Sequence, residues 1–560
     1  MNFLFSKAVL PLGLVACGIV FAQTPPNAGS LNQQMEREQA PRIPATTITD
    51  IRIEQGAEPV AAASDNQKIL VRSLQITGAH VYAEAALLEV TGFTSGRELT
   101  LSDLRGMASR IARHYHVHGY LLAQAYLPAQ DIKDGAVKIA VLEGHYGKVT
   151  LRNSSNLSDD VARSLLSNLN SSDAVAIAPL ETSLLLLSDL PGVNVRSTLV
   201  PGASVGASDL IVDVTPGQRV SGAVDVDNGG NRYTGANRIG TTVSINDLTG
   251  HGDVATLRAL TSGSGLNYAR ASYQTQFGRA KAGVAYASMH YLLGQDFESL
   301  QANGTAQIAS VYGSVPLIRS RSNNLYAVIN FDAKTFQDKV DSTATLADKK
   351  ARVVMASLTG DRRDGFGGGG LSTYALTWST GQIDIRSTAT LATDAATVQS
   401  NGHYDKLGFN AVRLQSLTDN ISLYAAVNGQ LASKNLDTSE KMGLGGLNGV
   451  RAYPEGEAYA DQGYVINLEA RALLPHFSEW QSGQMHLIGF VDTGTAMLNK
   501  NPWASGQNRR TLSGAGIGLN WFDSNNFMIR AYYAYKLGNA KAMSAPDETG
   551  RFWLQAAKYF

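Results

Sequence analysis

The sequence predicts an all-β membrane barrel of about 16 antiparallel strands, preceded by two small α+β modules and an N-terminal helix. Two observations predict the barrel. Beyond residue 219 the helical period of apolar residues disappears, and strand-like segments of about 10–13 residues recur between turn residues. No apolar run reaches the ~18–20 residues of a membrane helix, so a membrane form of this chain has to be a closed barrel.

Several C-terminal segments alternate apolar and polar side chains with period two, which is the pattern of outer-membrane strands. Every odd position of 527–537 is apolar or aromatic, and the polar face of 466–472 carries Asn467, Glu469 and Arg471. An even number of strands is typical of bacterial single-chain barrels. Sixteen candidate strands begin near residues 219, 237, 252, 266, 279, 304, 322, 350, 367, 403, 418, 462, 484, 511, 526 and 550.

The N-terminal residues predict export from the cytoplasm. Residues 1–22 have the features of a secretory signal peptide, with Lys7 ahead of an apolar run. Ordinary cleavage after that run and lipidation of Cys17, the chain's single cysteine, are both open. Residues 23–65 then combine a helix-favouring polar stretch at 30–39 with a linker rich in Pro, Ala and Thr. From spacing alone, that helix is interpreted as a solvated tail.

Residues 66–145 and 146–217 each follow the order strand, helix, helix, strand, strand, which predicts two consecutive small modules. In the first module Leu104, Met107 and Ile111 recur at helical spacing. The barrel is expected to follow from residue 218 to residue 560. A signal peptide and a barrel together place both modules in the periplasm.

Composition and motifs exclude several classes of function. Lys+Arg and Asp+Glu are both 47, so there is no basic excess for nucleic acid. The G-x-S-x-G pattern at 202–206 and the G-x-G-x-x-G pattern at 365–370 each lead into a strand, not the helix that such sites need. His114 and His118 share a helix face but have no evident third metal ligand. We predict no enzyme activity, cofactor or metal, and no nucleic-acid or nucleotide partner.

The longest gap between predicted strands, about residues 434–461, holds a glycine-rich loop with a single arginine. The loop carries Gly445, Gly446, Val450, Arg451 and Tyr453. Loops of this length inside a compact domain are usually functional or disordered.

A later strand segment contains Phe490, Asp492 and Gly494, and its aspartate cannot easily face lipid. If Arg451 reaches into the lumen and contacts Asp492, the loop is held inside the pore. A guanidinium suits this role because it can donate two parallel hydrogen bonds to a carboxylate. From spacing alone, the alternative is an exposed loop arginine and an unrelated aspartate that faces the lumen. The last strand ends in Phe560, an aromatic terminus that barrel-insertion machinery recognises in many outer-membrane proteins.

In this order, the segments resemble the outer-membrane transporters of two-partner secretion, of the haemolysin/haemagglutinin secretion–activation (TpsB) type. The resemblance covers nearly everything after the signal peptide. The matching segments are 33–38 (the family's plug helix), 127–144 and 190–202 (its two polypeptide-transport-associated, or POTRA, modules), 227–235 (the first barrel hairpin), and 445–453 and 490–494 (the two superfamily signature motifs). The family usually has glycine where this chain has Ala452.

The resemblance implies that Arg451 contacts Asp492 on the inner wall and that the loop and the N-terminal helix close the pore at rest. It also implies that the POTRA modules bind an unfolded, haemagglutinin- or haemolysin-like exoprotein, which the barrel secretes across the lipid of the outer membrane. Two other functions stay open from the sequence: an assembly factor for outer-membrane proteins and, with less support, a diffusion porin.

Overall fold

A computed structural model describes residues 25–38, 50–53, 68–478, 481–524 and 526–560. The predicted signal peptide, Cys17 and most of the predicted linker lie outside these residues. Within the described ranges, no helix has the length and apolar character needed to cross a membrane.

Two short elements precede the modules. Helix α1 (Ala28–Glu38) covers most of the predicted helical stretch. Strand β1 (Asp50–Ile53) lies in the predicted linker and pairs in parallel with residues 196–199 of a later strand. Sequence reasoning did not predict β1, because four residues carry too little periodicity and the strand depends on its distant partner for hydrogen bonds.

Module 1 packs two helices against two small sheets. Its elements are β2 (Lys68–Val71), β3 (Ser73–Thr77), α2 (Glu84–Thr91), β4 (Arg97–Thr100), α3 (Leu101–Val117), β5 (Gln124–Tyr126) and β6 (Ala136–Leu142). Strand β2 pairs with β4, and β3, β6 and β5 form the second sheet. A capping box between Thr100 and Asp103 starts α3, which buries Leu104, Ile111 and Tyr115. Strand β5 has only three residues, because turns occupy the residues just before it.

Module 2 has the order strand, helix, helix, strand, strand, without counterparts of strands β2 and β4 of module 1. Its elements are β7 (His145–Asn153), α4 (Asp159–Leu166), α5 (Ile177–Ser188), β8 (Val193–Pro201) and β9 (Ala207–Pro216). The sheet order is β1, β8, β9, β7, so β1 covers an edge that module 2 alone would leave open. Leu184, Leu187, Leu210 and Val212 are fully buried between helices and sheet.

The C-terminal part is a closed antiparallel barrel of 16 strands, which confirms the predicted fold class and strand number. The strands are β10 (Val220–Asp227), β11 (Arg238–Asn246), β12 (Val254–Thr261), β13 (Leu266–Phe277), β14 (Ala280–Leu292), β15 (Ala302–Arg319), β16 (Asn323–Val340), β17 (Thr345–Asp364), β18 (Gly370–Ile385), β19 (Gly402–Ser416), β20 (Ile421–Ala432), β21 (Gln462–Leu473), β22 (Gln484–Met497), β23 (Arg509–Asp523), β24 (Phe527–Lys536) and β25 (Gly550–Tyr559). Strands β15 to β17 have 18 to 20 residues and exceed the predicted length.

The two ends of the barrel differ. At one end α5 of module 2 contacts the barrel, where Thr182 Oγ1 donates to the Arg319 carbonyl at 2.9 Å. This is the end that the sequence-based expectation places on the periplasmic side. The opposite end carries longer loops, including one with helix α6 (Thr388–Ala396) and the loop 433–461 between β20 and β21. We call residues 433–461 the luminal loop, because its tip packs against inward-facing residues of the barrel wall.

Candidate functional site in the barrel lumen

The tip of the luminal loop is a compact turn that presents one arginine to the wall. Gly446 has φ +97°, a conformation that residues with a Cβ rarely adopt, and its N–H donates to the Tyr453 carbonyl at 3.0 Å. The Val450 N–H donates to the Leu444 carbonyl at 2.8 Å. A Cβ at Gly445 would overlap the Pro454 carbonyl oxygen. The glycines therefore allow the chain to fold back tightly at the tip.

Arg451 contacts Asp492 on the inner face of β22. Arg451 Nε donates to Asp492 Oδ2 at 2.8 Å, and Nη2 donates to Oδ1 at 2.8 Å. The Arg451 backbone N–H also donates to Oδ2, at 3.1 Å. The Asp492 side chain is fully buried and that of Arg451 is only 4% exposed. Bidentate, charge-assisted geometry of this kind is among the stronger polar contacts in proteins.

Other residues of the wall complete the surroundings of Arg451. Arg451 Nη1 donates to Glu469 Oε1 at 2.8 Å, and Glu469 also pairs with Arg471 at 2.7 Å. The guanidinium carbon lies 3.6 Å from the centroid of the Phe490 ring, in a cation–π arrangement. The indole N–H of Trp553 donates to the Arg451 carbonyl at 2.6 Å. The loop tip is thus held through side chain and backbone together.

Sequence reasoning identified Arg451, Asp492 and Phe490 as candidates but missed Glu469 and Trp553. A signal for Glu469 was present, because it lies on the polar face of an alternating strand, in register with Phe490. No signal pointed to Trp553, since one aromatic residue in a barrel strand is ordinary and its contact spans 102 residues.

The remaining candidate residues pack around the tip. Val450 and Tyr453 are fully buried, and the Tyr453 hydroxyl donates to the Ala540 carbonyl at 2.9 Å. Gly494 lies beneath Leu444, whose Cδ2 would be 3.0 Å from an added Cβ. Ala452 does not have a positive φ, so the alanine is compatible with its backbone.

The methyl group of Ala452 points at Gly514 of β23. A Cβ added at Gly514 would overlap it. The space for alanine in the loop is thus provided by a glycine in the wall.

Helix α1 lies inside the barrel, against β14, β15 and β16. Its backbone N–H at Ala28 donates to Asp338 Oδ1 at 2.7 Å, and Glu36 pairs with Lys334 at 3.0 Å. Gln33 Nε2 donates to the Ser439 carbonyl of the luminal loop at 2.5 Å. Burial of α1 rules out the solvated tail that spacing alone suggested.

Helix α1 and the luminal loop share an ionic network on the wall. Lys334, which is 2% exposed, contacts both Glu36 of α1 and Glu440 of the loop, at 3.0 and 3.1 Å. Lys406 contacts the other oxygen of Glu440 at 2.7 Å. Each buried charge has at least one opposite partner, which offsets the desolvation of the group.

Phe560 lies outside the barrel at the seam between the first and last strands. Its backbone exchanges two hydrogen bonds with Gly222, at 2.8 and 3.1 Å. The ring covers Gly222, where a Cβ would meet the ring at 2.5 Å. About half of the residue's surface remains exposed.

Comparison with known protein families agrees with this architecture. Residues 69–144 match the POTRA domain of the ShlB type, and residues 206–521 match the haemolysin secretion/activation protein family ShlB/FhaC/HecB. The second match covers more than half of the chain.

Two of the similar proteins are named as transporters. The heme/hemopexin transporter protein HuxB of Haemophilus influenzae strain 86-028NP is 30% identical, over 100% of this chain and 97% of that protein. The outer membrane transporter CdiB of Dickeya dadantii is 22% identical over 72% of this chain and 71% of its own length. The solved structure of CdiB from Escherichia coli has a TM-score of 0.73 at 18% identity, covering 90% of this chain and 93% of that one. The chain therefore belongs to the ShlB/FhaC/HecB family and is a two-partner secretion transporter of the outer membrane.

Proposed function

We propose that α1 and the luminal loop close the pore at rest, and that an unfolded haemagglutinin- or haemolysin-like exoprotein passes through the barrel after they move. The observation that supports this most strongly is the position of Lys334, which bonds both to Glu36 of α1 and to Glu440 of the loop. Arg451 and Asp492 act as the latch between loop and wall. Because α1 and the luminal loop both bond to Lys334, movement of either one weakens the attachment of the other to the barrel wall.

The two modules bind the exoprotein in the periplasm. Strand β5 is an edge strand of the three-stranded sheet in module 1, and its residue Tyr126 is half exposed. An extended polypeptide can add to such an edge through backbone hydrogen bonds, which do not depend on its sequence. This mode of binding suits a client that has not yet folded.

The first test is a paired inventory of secreted proteins and outer-membrane proteins, with the chain present, absent or carrying Arg451→Ala. Loss of one large protein from the medium, with the outer membrane unchanged, is the expected result. Loss of outer-membrane proteins instead would indicate an assembly factor and contradict the proposal. The Haemophilus relative is named as a heme/hemopexin transporter, so the inventory should also be made with hemopexin in the growth medium.

A second test asks whether α1 has to leave the lumen. A Cβ built at Gly29 lies 3.0 Å from Ser439 Cβ, so small shifts bring a Gly29→Cys, Ser439→Cys pair to disulfide distance. Oxidation should stop secretion, and reduction should restore it. Each single cysteine is the control. Normal secretion by the fully oxidised pair would show that α1 does not gate the pore.

A further inference from the structure

We propose that the outer wall of the barrel binds the phosphate group of a phospholipid in the periplasmic leaflet, through Arg362 and Ser372, with Arg413 holding the Ser372 hydroxyl in place. The site depends on the location of the barrel in the outer membrane and not on how the pore is gated.

The three side chains form one row on the outside of the barrel. Arg362 of β17 is in register with Ser372 of β18, which is in register with Arg413 of β19. Side chains directly opposite on neighbouring strands have Cβ atoms about 4.5–5.5 Å apart. The row faces outward, because Leu358 on the same face of β17 and Leu376 on the same face of β18 are each nearly half exposed.

Arg362 lies at the depth of the lipid headgroups. On the outward face of β17, Arg352 and Arg362 flank an apolar stretch. This stretch consists of Val354, Ala356, Leu358 and Gly360. Ten residues along a strand tilted by about 40° rise roughly 25 Å, which equals the height of the apolar band of such barrels. Arg362 is at the periplasmic boundary of that band, one row beyond Tyr374, an aromatic residue of the type that lines this boundary.

A rigid polar frame surrounds Arg413. Its Nη1 and Nη2 donate to the two oxygens of Asp364 at 2.7 and 2.9 Å, and Nη1 also donates to Ser372 Oγ at 3.0 Å. Gln415 Oε1 accepts from Arg413 Nη2 at 2.6 Å, and Gln415 Nε2 donates to backbone carbonyls of the adjoining turn. The guanidinium is therefore fixed in place before any ligand arrives.

Arg362 and Ser372 retain N–H and O–H groups that can donate hydrogen bonds to a ligand. Arg362 is exposed, and within the described part of the chain no carboxylate lies at ion-pair distance from it. The Ser372 hydroxyl accepts from Arg413, which leaves its own proton for another acceptor. Two arginines against Asp364 give the site an excess positive charge, so the complementary ligand is an anion.

The neighbouring cleft suits a lipid rather than a free anion. It has a volume of about 480 Å³ and is lined on one side by Arg413, Gln415 and Asp364. Leu423, which is 42% exposed, and the exposed ring of Phe366 line the other side. Ser372 also lines this cleft, so a phosphate bonded to Ser372 would allow an acyl chain to lie along Leu423, where a free anion gains no contact.

Native mass spectrometry of the detergent-solubilised full chain tests the site, with dioleoylphosphatidylethanolamine as probe. We expect Arg362→Gln to weaken lipid retention about tenfold, as for the loss of one charge-assisted hydrogen bond. Arg362→Gln leaves the pair of Arg413 and Asp364 intact, so the barrel should remain folded. Arg352→Gln is the matched control, because it lies on the same face of the same strand at the opposite boundary.

Three outcomes would overturn the proposal. Arg362→Gln and Arg352→Gln could retain lipid equally. Dioleoylglycerol, which lacks phosphate, could bind as well as the phospholipid. Millimolar inorganic phosphate could displace the lipid completely, which would show a site for free anions. Retention that depends on Arg362, on the phosphate group and on the acyl chains together would establish the site.

Discussion

At the scale of single residues, Arg451 is the side chain on which most contacts in the lumen converge. It contacts both carboxylate oxygens of Asp492 and shares Glu469 with Arg471. Because these carboxylates are buried, their charge is tolerated only while a cation is beside them.

We expect Arg451→Ala to destabilise the loop and barrel by about 3 to 5 kcal/mol, since Asp492 loses its buried partner. Thermal unfolding of the purified barrel would show the lower stability, and planar-bilayer recordings would show a larger conductance. Arg471→Ala is the control, because Glu469 would keep Arg451. Equal effects of the two substitutions would contradict the role assigned to Arg451.

A second prediction concerns the fit between Ala452 and Gly514. We expect Gly514→Ala to push the loop tip off the wall, because the new methyl group would overlap that of Ala452. Overpacking of this kind typically costs about 1 to 3 kcal/mol. Ala452→Gly in the same chain should restore the thermal stability. A double variant as unstable as Gly514→Ala would rule out this contact as the cause.

At the scale of elements, α1 and the luminal loop pack against each other and against the same wall. Gly29 lies against Ser439 of the loop, and Thr438 donates to Asn27 Oδ1 at 3.0 Å. Lys334 joins both elements to β16.

We expect Lys334→Met to raise the population of chains with α1 outside the lumen about fivefold. The lost bond to the partly exposed Glu36 is worth about 1 kcal/mol. Tryptic cleavage after Arg37 measures this population. Lys406→Met is the control, because Lys406 contacts Glu440 but not α1. Faster cleavage in both variants to the same degree would speak against a specific contact between Lys334 and the helix.

At the scale of the whole molecule, a largely buried ion pair is one of several contacts that hold module 2 at the mouth of the barrel. Arg319 at the end of β15 donates to both oxygens of Asp189, just after α5, at 2.7 Å each. A second pair, Arg321 with Glu181, is more exposed. Exposed pairs contribute little to stability, so the first pair dominates.

We expect Arg319→Ala to loosen module 2 on the barrel and to increase hydrogen exchange along α5. Arg321→Ala should change it little, because the Arg321 side chain is 47% exposed. Hydrogen-exchange mass spectrometry of the full chain measures both variants. Unchanged exchange in Arg319→Ala would mean that the orientation of the module depends on other contacts.

The sequence by itself determined the class of fold, because period-two alternation and the lack of long apolar runs leave a closed barrel as the only membrane form. It also identified the segments that carry Arg451 and Asp492. The resemblance implied the contact between these two residues, but their further partners could not be read from the sequence. Strand register decides that Asn467 lies opposite Asp492, and only the closed wall decides which strands face each other across the lumen.

Two elements were decided by tertiary structure alone. A short polar helix has the same sequence pattern in solvent and in a polar lumen, so the location of α1 depends on partners such as Lys334, about 300 residues away. Strand β1 forms because β8 offers an open edge to it. Local sequence specifies which conformations a segment prefers, whereas contacts between distant segments choose among them.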